Sequence, residues 1–429
     1  MPGDALTQSL PFDPADPKAA LAQLPHADAV FALYGAEAHA EPYIGRTPNL
    51  RARLERLLQP SPKHPRRLQL ASRVRHIKYR LTGSDFESLL LQFALLEQVY
   101  GAKALERMHL GAPTFIRYLG SNAYPRITVT NRPSQREADW AYGPFPSRTA
   151  AERFADEALK LFLLRRCTDD LDPNPAHPGC VYSEMKMCLA PCYKGCTDQR
   201  YDEEAKAVEQ FLATRGENRL ITLRTQRDEA SAQLEFESAA ALHALVQRVE
   251  AVRALAPELV RPLSHLRAVI LQPGANPGEV AVFLYESGQL RGPVAFSTLG
   301  MRIQNEQSGS SSLFAQPLAL EPMPELPDPA PTTEPTSGFD IPAPLRLPRG
   351  LLEARLDAVL TSLTESTQPP TATIRQGHLS LLKRWYYRPE VRRSGEIFFP
   401  DDHGNWPAKA ILRGVGRVAA KSIAASTKS

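Results

Sequence analysis

No stretch of this sequence approaches the roughly 20 consecutive apolar residues that a membrane-spanning helix needs, and its N-terminus lacks a charged start followed by an apolar core. The reading is a cytoplasmic chain with no membrane partner. Net charge is small as well, +4 from 51 Lys+Arg against 47 Asp+Glu. The basic residues gather locally, in Arg46 to Arg56, Lys63 to Arg80 and Lys383 to Arg393, and such patches suit a polyanion better than the net charge does. Cysteine is scarce: five residues in 429, all between Cys167 and Cys196. An odd number crowded into one short segment of a cytoplasmic chain favours metal over disulfides.

A chain this long accommodates two to four domains of ordinary size. Residues 1–26 mix Pro, Asp and Ala without apolar periodicity and read as a disordered leader. Ala29 to Tyr34 and Glu41 to Ile44 read as a hairpin. A helix follows on Leu50, Leu54, Leu57 and Leu58, stopped by Pro60. The next helix spans Asp85 to Tyr100, with Ser84 as N-cap and Gly101 beyond its end. Tyr118 to Thr130 is short and β-like, and Gly143-Pro144-Phe145-Pro146 is a turn into a helix ending near Arg165. Residues 201–255 carry helical periodicity and read as a helical hairpin. Strands are expected at Ala268 to Leu271, Val280 to Tyr285 and Pro293 to Ser297. Residues 304–346 are a Pro-rich run of low complexity, read as a linker. Beyond it, residues 347–429 read as a separate, mostly helical domain that contains Leu351 to Leu363, a basic and aromatic stretch and Ala408 to Ala425. The expected class is α+β multidomain.

Cys167, Cys180, Cys188, Cys192 and Cys196 are separated by twelve, seven, three and three residues. Four soft thiolates suit tetrahedral zinc or an iron-sulfur cluster, and spacing alone does not choose between them. The order Tyr142-Gly143-Pro144-Phe145-Pro146, Arg166-Cys167, Pro178-Gly179-Cys180 and Cys188-Leu189-Ala190-Pro191-Cys192 resembles the UvrC family, the incision subunit of bacterial nucleotide excision repair. The resemblance implies Cys167, Cys180, Cys188 and Cys192 as ligands of a [4Fe-4S] cluster, with zinc as the alternative and Cys196 as a spare or substitute ligand. It covers roughly Ala29 to Gly300, with no counterpart of the family's RNase H-like nuclease domain.

Ala29-Val30-Phe31, Tyr43-Ile44-Gly45-Arg46 and Leu50-Arg51-Ala52-Arg53-Leu54 look like a GIY-YIG nuclease domain, placed at residues 27–105. Its chemistry needs a base to activate water, a cation against the phosphoryl charge and a metal on the leaving side. By resemblance Tyr43 sits near the attacking water, Arg53 holds the phosphate and Arg46 replaces a lysine. Phe31 stands where the family has a tyrosine, and Gln92 where it has the metal-binding glutamate. A neutral amide is a far poorer ligand for Mg²⁺ than a carboxylate. Glu87 and Glu97, five residues to either side, point roughly 140° away from Gln92.

The cysteine-rich domain is placed at 106–200, the helical hairpin at 201–255 and a β segment at 256–303. Within the hairpin Leu234, Phe236, Ala239 and Ala240 resemble the UVR motif, which implies contact with a UvrB-like partner. Near the C-terminus Gly414, Gly416 and Arg417 look like a helix-hairpin-helix that offers backbone N–H groups to DNA phosphates. Trp385, Tyr386 and Tyr387 either stack on bases or pack a small core, with core expected for at least one. The resulting reading is a DNA-binding repair protein with an impaired nuclease site. Its rivals are an active Cho-like 3′-incision endonuclease, the one case that calls for Mg²⁺ or Mn²⁺, and an iron-sulfur redox-sensing DNA-binding protein.

Overall fold

The computed structural model describes residues 5–37, 40–58, 70–132, 139–168, 171–301, 347–364 and 369–426. Twelve strands form three four-stranded antiparallel sheets, and thirteen α-helices surround them among the described residues. The α+β class is as expected. No helix among these residues is long and apolar enough to cross a membrane.

The first unit comprises β1 (Gln8–Pro11), α1 (Pro17–Ala22), β2 (Ala29–Gly35), β3 (Tyr43–Thr47), α2 (Leu50–Leu58), α3 (Leu70–Arg73), β4 (Val74–Leu81), α4 (Asp85–Tyr100) and α5 (Lys103–Arg107). Its sheet runs β1-β4-β2-β3, so β3 is an edge strand. The disordered leader is a misreading. Gln8–Pro11 pairs with β4, and Leu6, Phe12, Leu21 and Leu24 are buried. Four apolar residues scattered among prolines show no periodicity, yet the edge of a sheet accepts a short strand with proline at its end. Side chains alternate across the sheet: Phe31, Leu33 and Ile77 pack with Leu50 and Leu54 of α2, whereas Val30 and Ala32 pack with Leu95 of α4. The hairpin, α2 and α4 fall where the sequence puts them. At the start of α4, Ser84 Oγ accepts from Glu87 N at 3.1 Å, and at its end Gly101 adopts φ 54°.

The second unit contains β5 (Thr114–Leu119), β6 (Arg126–Thr130), β7 (Asp139–Phe145), α6 (Arg148–Leu159), α7 (Val181–Glu184), α8 (Asp198–Ala213), α9 (Glu217–Ala232), α10 (Phe236–Ala254) and β8 (Arg261–Pro262). Its sheet order is β6-β5-β7-β8. Helix α6 ends at Leu159, short of Arg165, and the chain continues without regular structure through buried Phe162, Leu164 and Arg165 into the cysteine segment. The helical hairpin has three members, of which α9 and α10 lie antiparallel across a tight turn at Leu234, φ 63°.

The third unit corrects the domain boundaries. β9 (Ala268–Pro273), β10 (Glu279–Glu286) and β11 (Gln289–Ser297) form a meander, and after α11 (Arg349–Thr364) and α12 (Ala372–Tyr386) the chain returns as β12 (Glu396–Phe398) to pair with β9. Helix α13 (Ala408–Ser426) then packs on the same sheet, with Ile411, Val415 and Val418 against Val269, Leu271 and Val282. Strands β9 to β11 thus share one sheet with β12 and one core with α11 and α13, across the boundary expected at 303, whereas β8 belongs to the second sheet. The linker expected at 304–346 lies outside the described residues.

One further core joins the units through α4. Phe86 meets Phe283 and Trp385 at ring-centroid distances of 5.2 and 5.3 Å. Gly377 of α12 lies so close to Phe93 that no β-carbon fits between them, and Gly83 meets the main chain of Gly274 in the same way.

Candidate metal centre and nuclease-like face

The segment from Cys167 to Cys196 is held by main-chain turns. Cys180 caps α7, where Ser183 Oγ accepts from Cys180 N at 2.9 Å and donates to Cys180 O at 2.6 Å. Ala190 and Lys194 take left-handed conformations, φ 54° and 59°, around the single 3-10 turn that carries buried Cys192. Ala190 N donates to Cys188 Sγ at 3.3 Å. Asn174 N donates to Cys192 O at 2.9 Å, and Leu189 N to Leu163 O at 3.0 Å, so the loop folds back on both flanks.

All five cysteines are free thiols. Burial pushes the Cys188 thiol up to about 11, and repulsion from Cys167, Cys180 and Cys192 adds to the shift. Burial also raises Cys192, with Cys180 and Cys167 acting the same way. Cys196 is raised by burial and then by Asp198, with Arg200 opposing and Cys192 contributing least. Four thiols that repel once ionised fit a cation or a metal cluster, which removes the repulsion. Among the described residues no three His, Cys, Asp or Glu side chains are gathered tightly enough to hold a single ion.

Beside this loop lies a residue that sequence reasoning missed. Arg165 is 2% exposed, its Nε donates to Tyr124 O at 3.0 Å, and its Nη1 approaches Cys167 Sγ at 3.6 Å. Its position two residues before the first cysteine was the available signal.

The nuclease-like residues are divided between the two faces of the first sheet. Phe31 is fully buried on the α2 side, its ring centroid 6.2 Å from that of Tyr43. A β-carbon on Gly45 would come within 2.7 Å of the Phe31 ring, so glycine at this position makes room for the phenyl group. Arg53 belongs to α2 on that side. On the other face Arg46 pairs with Asp85, which Arg388 also reaches at 2.7 Å. Burial, and then Asp85, raises the nearby Asp28 carboxyl. Gln92 is half-buried on α4, between Leu91 and Leu95, which pack toward the face opposite Phe31. Glu87 is buried and its carboxylate accepts from Gly83 N at 2.9 Å. This engagement at the helix start leaves Glu87 no role at Gln92.

Leu234 and Phe236 are 71% and 68% exposed at the α9–α10 turn, near half-buried Ala239 and exposed Ala240. The expected helix-hairpin-helix is not formed. Gly414 and Gly416 lie inside the continuous helix α13, where Gly414 admits the Phe398 ring, and Arg417 pairs with Glu396 at 2.7 Å. A glycine that reads as a turn is here required by a close strand-to-helix approach. Trp385 is core, 1% exposed, and Tyr387 Oη donates to Pro144 O at 2.8 Å.

Residues 114–211 match the family described as UvrC/Cho excinuclease, middle domain. The chain is similar to the UvrABC system protein C of Alcanivorax borkumensis, 29% identical over 238 residues, which are 56% of this chain and 39% of that protein. The corresponding protein of Haemophilus ducreyi is 30% identical over 55% of this chain and 38% of its own length. That of Ruminiclostridium cellulolyticum is 32% identical over 47% and 33%. The chain thus spans at most about two fifths of the length of these curated relatives. No solved structure matches it. Over this shared region the chain is similar to UvrC proteins, the resemblance to which the residues Tyr142–Pro146 and the spacing of Cys167, Cys180, Cys188 and Cys192 had pointed, although Tyr142 to Phe145 lie in β7 and form no turn.

Proposed function

We propose that this chain is a DNA-binding protein of nucleotide excision repair whose GIY-YIG-type nuclease site is impaired and whose Cys167, Cys180, Cys188 and Cys192 hold a [4Fe-4S] cluster. The observation that carries the reading is the similarity to UvrC proteins across the segment containing the cysteine loop. The mutual repulsion of the four thiols supports a metal centre. When bound, the cluster ties residues 167 to 192 together and contributes to folding.

The impaired nuclease rests on Gln92. Phosphodiester hydrolysis at such a site requires positioned groups around one phosphate. Tyr43 and Arg53 are retained for orienting water and holding the phosphate. A divalent ion, when bound, would neutralise charge on the leaving oxygen, and an amide at position 92 holds it poorly. Arg46 is already engaged by Asp85, which lowers its availability to a phosphate. The exposed pair Leu234 and Phe236 supports docking of a UvrB-like helical partner at the α9–α10 turn.

Incision of a damaged duplex in Mg²⁺ or Mn²⁺ tests the reading. The wild type should bind DNA without nicking it, and Gln92→Glu should gain weak metal-dependent nicking. Robust incision by the unmodified protein, abolished by Tyr43→Phe and Arg53→Ala, would establish the Cho-like endonuclease instead. Loss of DNA affinity on cluster oxidation, again without nicking, would favour the redox-sensing protein.

A further inference from the structure

Between α8 and α9 the chain turns at Arg215 and Gly216, both in the left-handed region with φ 53° and 79°. Gly216 N donates to Phe211 O at 2.6 Å and Arg215 N to Leu212 O at 3.2 Å. In a helix end closed this way, the residue in the place of Arg215 is usually glycine. An arginine there carries its β-carbon at a conformational cost, the kind of outlier that points to a role for the side chain. That side chain lines a crevice of about 310 Å³, together with Tyr142 of β7, Phe154 of α6, Phe211 of α8, and Glu250 and Arg253 of α10.

The charges around this crevice are not all matched. Arg253 pairs with Glu217 at 2.7 Å and Glu250 with Arg224 at 2.6 Å. Arg215 forms no ion pair among the described residues: its Nη2 reaches Pro257 O at 3.5 Å, and its Nε is buried without a hydrogen-bond partner. Its charge acts on its neighbours. Burial pushes the Tyr142 phenol up to about 12, with Arg215 the foremost opposing influence, and burial followed by Arg215 lowers Arg261 to about 10. A guanidinium removed from water without a counter-charge is costly, and an anion seated beside it offsets that cost.

Three elements supply donors here: Arg215 from the turn, Arg253 from α10, and Tyr142 from β7, whose hydroxyl accepts from Arg215 and so keeps its own proton to donate. A carboxylate presents two oxygens in one plane. A phosphate presents oxygens on several sides and suits the guanidinium fork equally well. We propose that this crevice binds a phosphate group, with Arg215 as its principal charge and Tyr142 and Arg253 as further donors. Phe154 and Phe211 back the site with apolar surface, where a charge-assisted hydrogen bond is stronger than in water. The group belongs either to the DNA backbone or to a free phosphate compound.

The test uses the full chain as wild type, Arg215→Gly and Arg215→Lys, with inorganic phosphate at constant ionic strength and then with a short DNA duplex. Phosphate should raise the wild-type melting temperature along a saturable curve, because a ligand bound only by the folded protein stabilises it. Arg215→Gly suits the left-handed turn and should need about 10-fold more phosphate for the same shift, a loss typical of hydrogen bonds to a charged group. Arg215→Lys, which keeps the charge without the fork, should fall between the two. For a backbone phosphate, Arg215→Gly should also weaken DNA binding and lower its salt slope by about one. Unchanged DNA binding beside a lost phosphate response assigns the site to a free phosphate compound. A wild type without a saturable phosphate response overturns the proposal, as does a glycine variant equal to wild type in both arms. Arg215→Asn, which also tolerates this backbone, takes the place of the glycine variant if that chain does not fold. Wild-type protein that responds to phosphate but binds no DNA would refute the DNA-binding reading above and leave the phosphate site standing.

Discussion

The cysteine loop and the nuclease-like sheet are assembled in opposite ways. The loop draws its four candidate thiols from one segment of the chain, from Cys167 to Cys192, which local turns at Cys180 and Ala190 fold back on itself. The sheet divides its candidate residues between two faces, with Phe31 and Tyr43 toward α2 and Arg46 on the side of α4, where Asp85 and Arg388 engage it. A site built from one local segment depends mainly on ligand spacing. A site built across a sheet depends also on what packs against each face, and here a distant segment packs against one of them.

The largest effect that sharpens this contrast lies in the loop. Cys188→Ser or Cys192→Ser should abolish metal content and lower unfolding free energy by about 4 kcal/mol or more, since loss of a metal is among the few mechanisms with costs of that size. Cys196→Ser should cost less than about 1 kcal/mol. Denaturant titration with metal analysis checks both, and equal losses at positions 188 and 196 would break the distinction between them.

The seam at α4 should respond to pH instead. His378 is buried against Phe93, its Nδ1 accepts from Leu290 N at 2.9 Å, and burial lowers its pKa from 6.5 to about 4. Because the folded value is depressed, the unfolded chain binds this proton first as the pH falls. The contribution is therefore complete above about pH 6.5 and is lost between there and about 4, to a total of roughly 3 kcal/mol. His378→Gln should flatten that part of the stability curve, measured by urea titration at several pH values. An unchanged slope would mean that the seam opens in solution.

The smallest stability effect belongs to the α9–α10 turn. Leu234→Ala with Phe236→Ala should change unfolding free energy by no more than about 0.5 kcal/mol, as expected of exposed positions, while abolishing capture of a UvrB-like partner in a binding assay. A large loss of stability would show that this pair is core to the hairpin.

What was legible in the sequence was local. Ser84 and Gly101 bracket α4, and the cysteine spacing singled out its segment. What was not legible depended on partners far away along the chain. Gln272 hydrogen-bonds Ser394 across 122 residues, and no local pattern at Glu396–Phe398 announces that this segment completes the third sheet. Gly414 and Gly416 carry the signature of a turn, because the reason for glycine at 414 is the Phe398 ring and not the conformation of its own backbone. Arg388 looks like one more base in a cationic run until Asp85 is placed beside it. The candidate site was readable in the same measure: the thiols by spacing, the guanidinium of Arg165 only once Tyr124 and Tyr201 surround it.

The pairing of β12 with β9 also constrains the order of events during synthesis. A nascent chain that has reached residue 301 has already made β9, β10 and β11, but the edge of β9 that β12 later occupies has no partner, and Val269, Leu271 and Val282 lack the cover that α13 supplies. An open apolar edge strand is a template for association with other chains. Products of premature termination should for that reason be drawn to chaperones or into aggregates, and the third unit can close only after its last helix has left the ribosome.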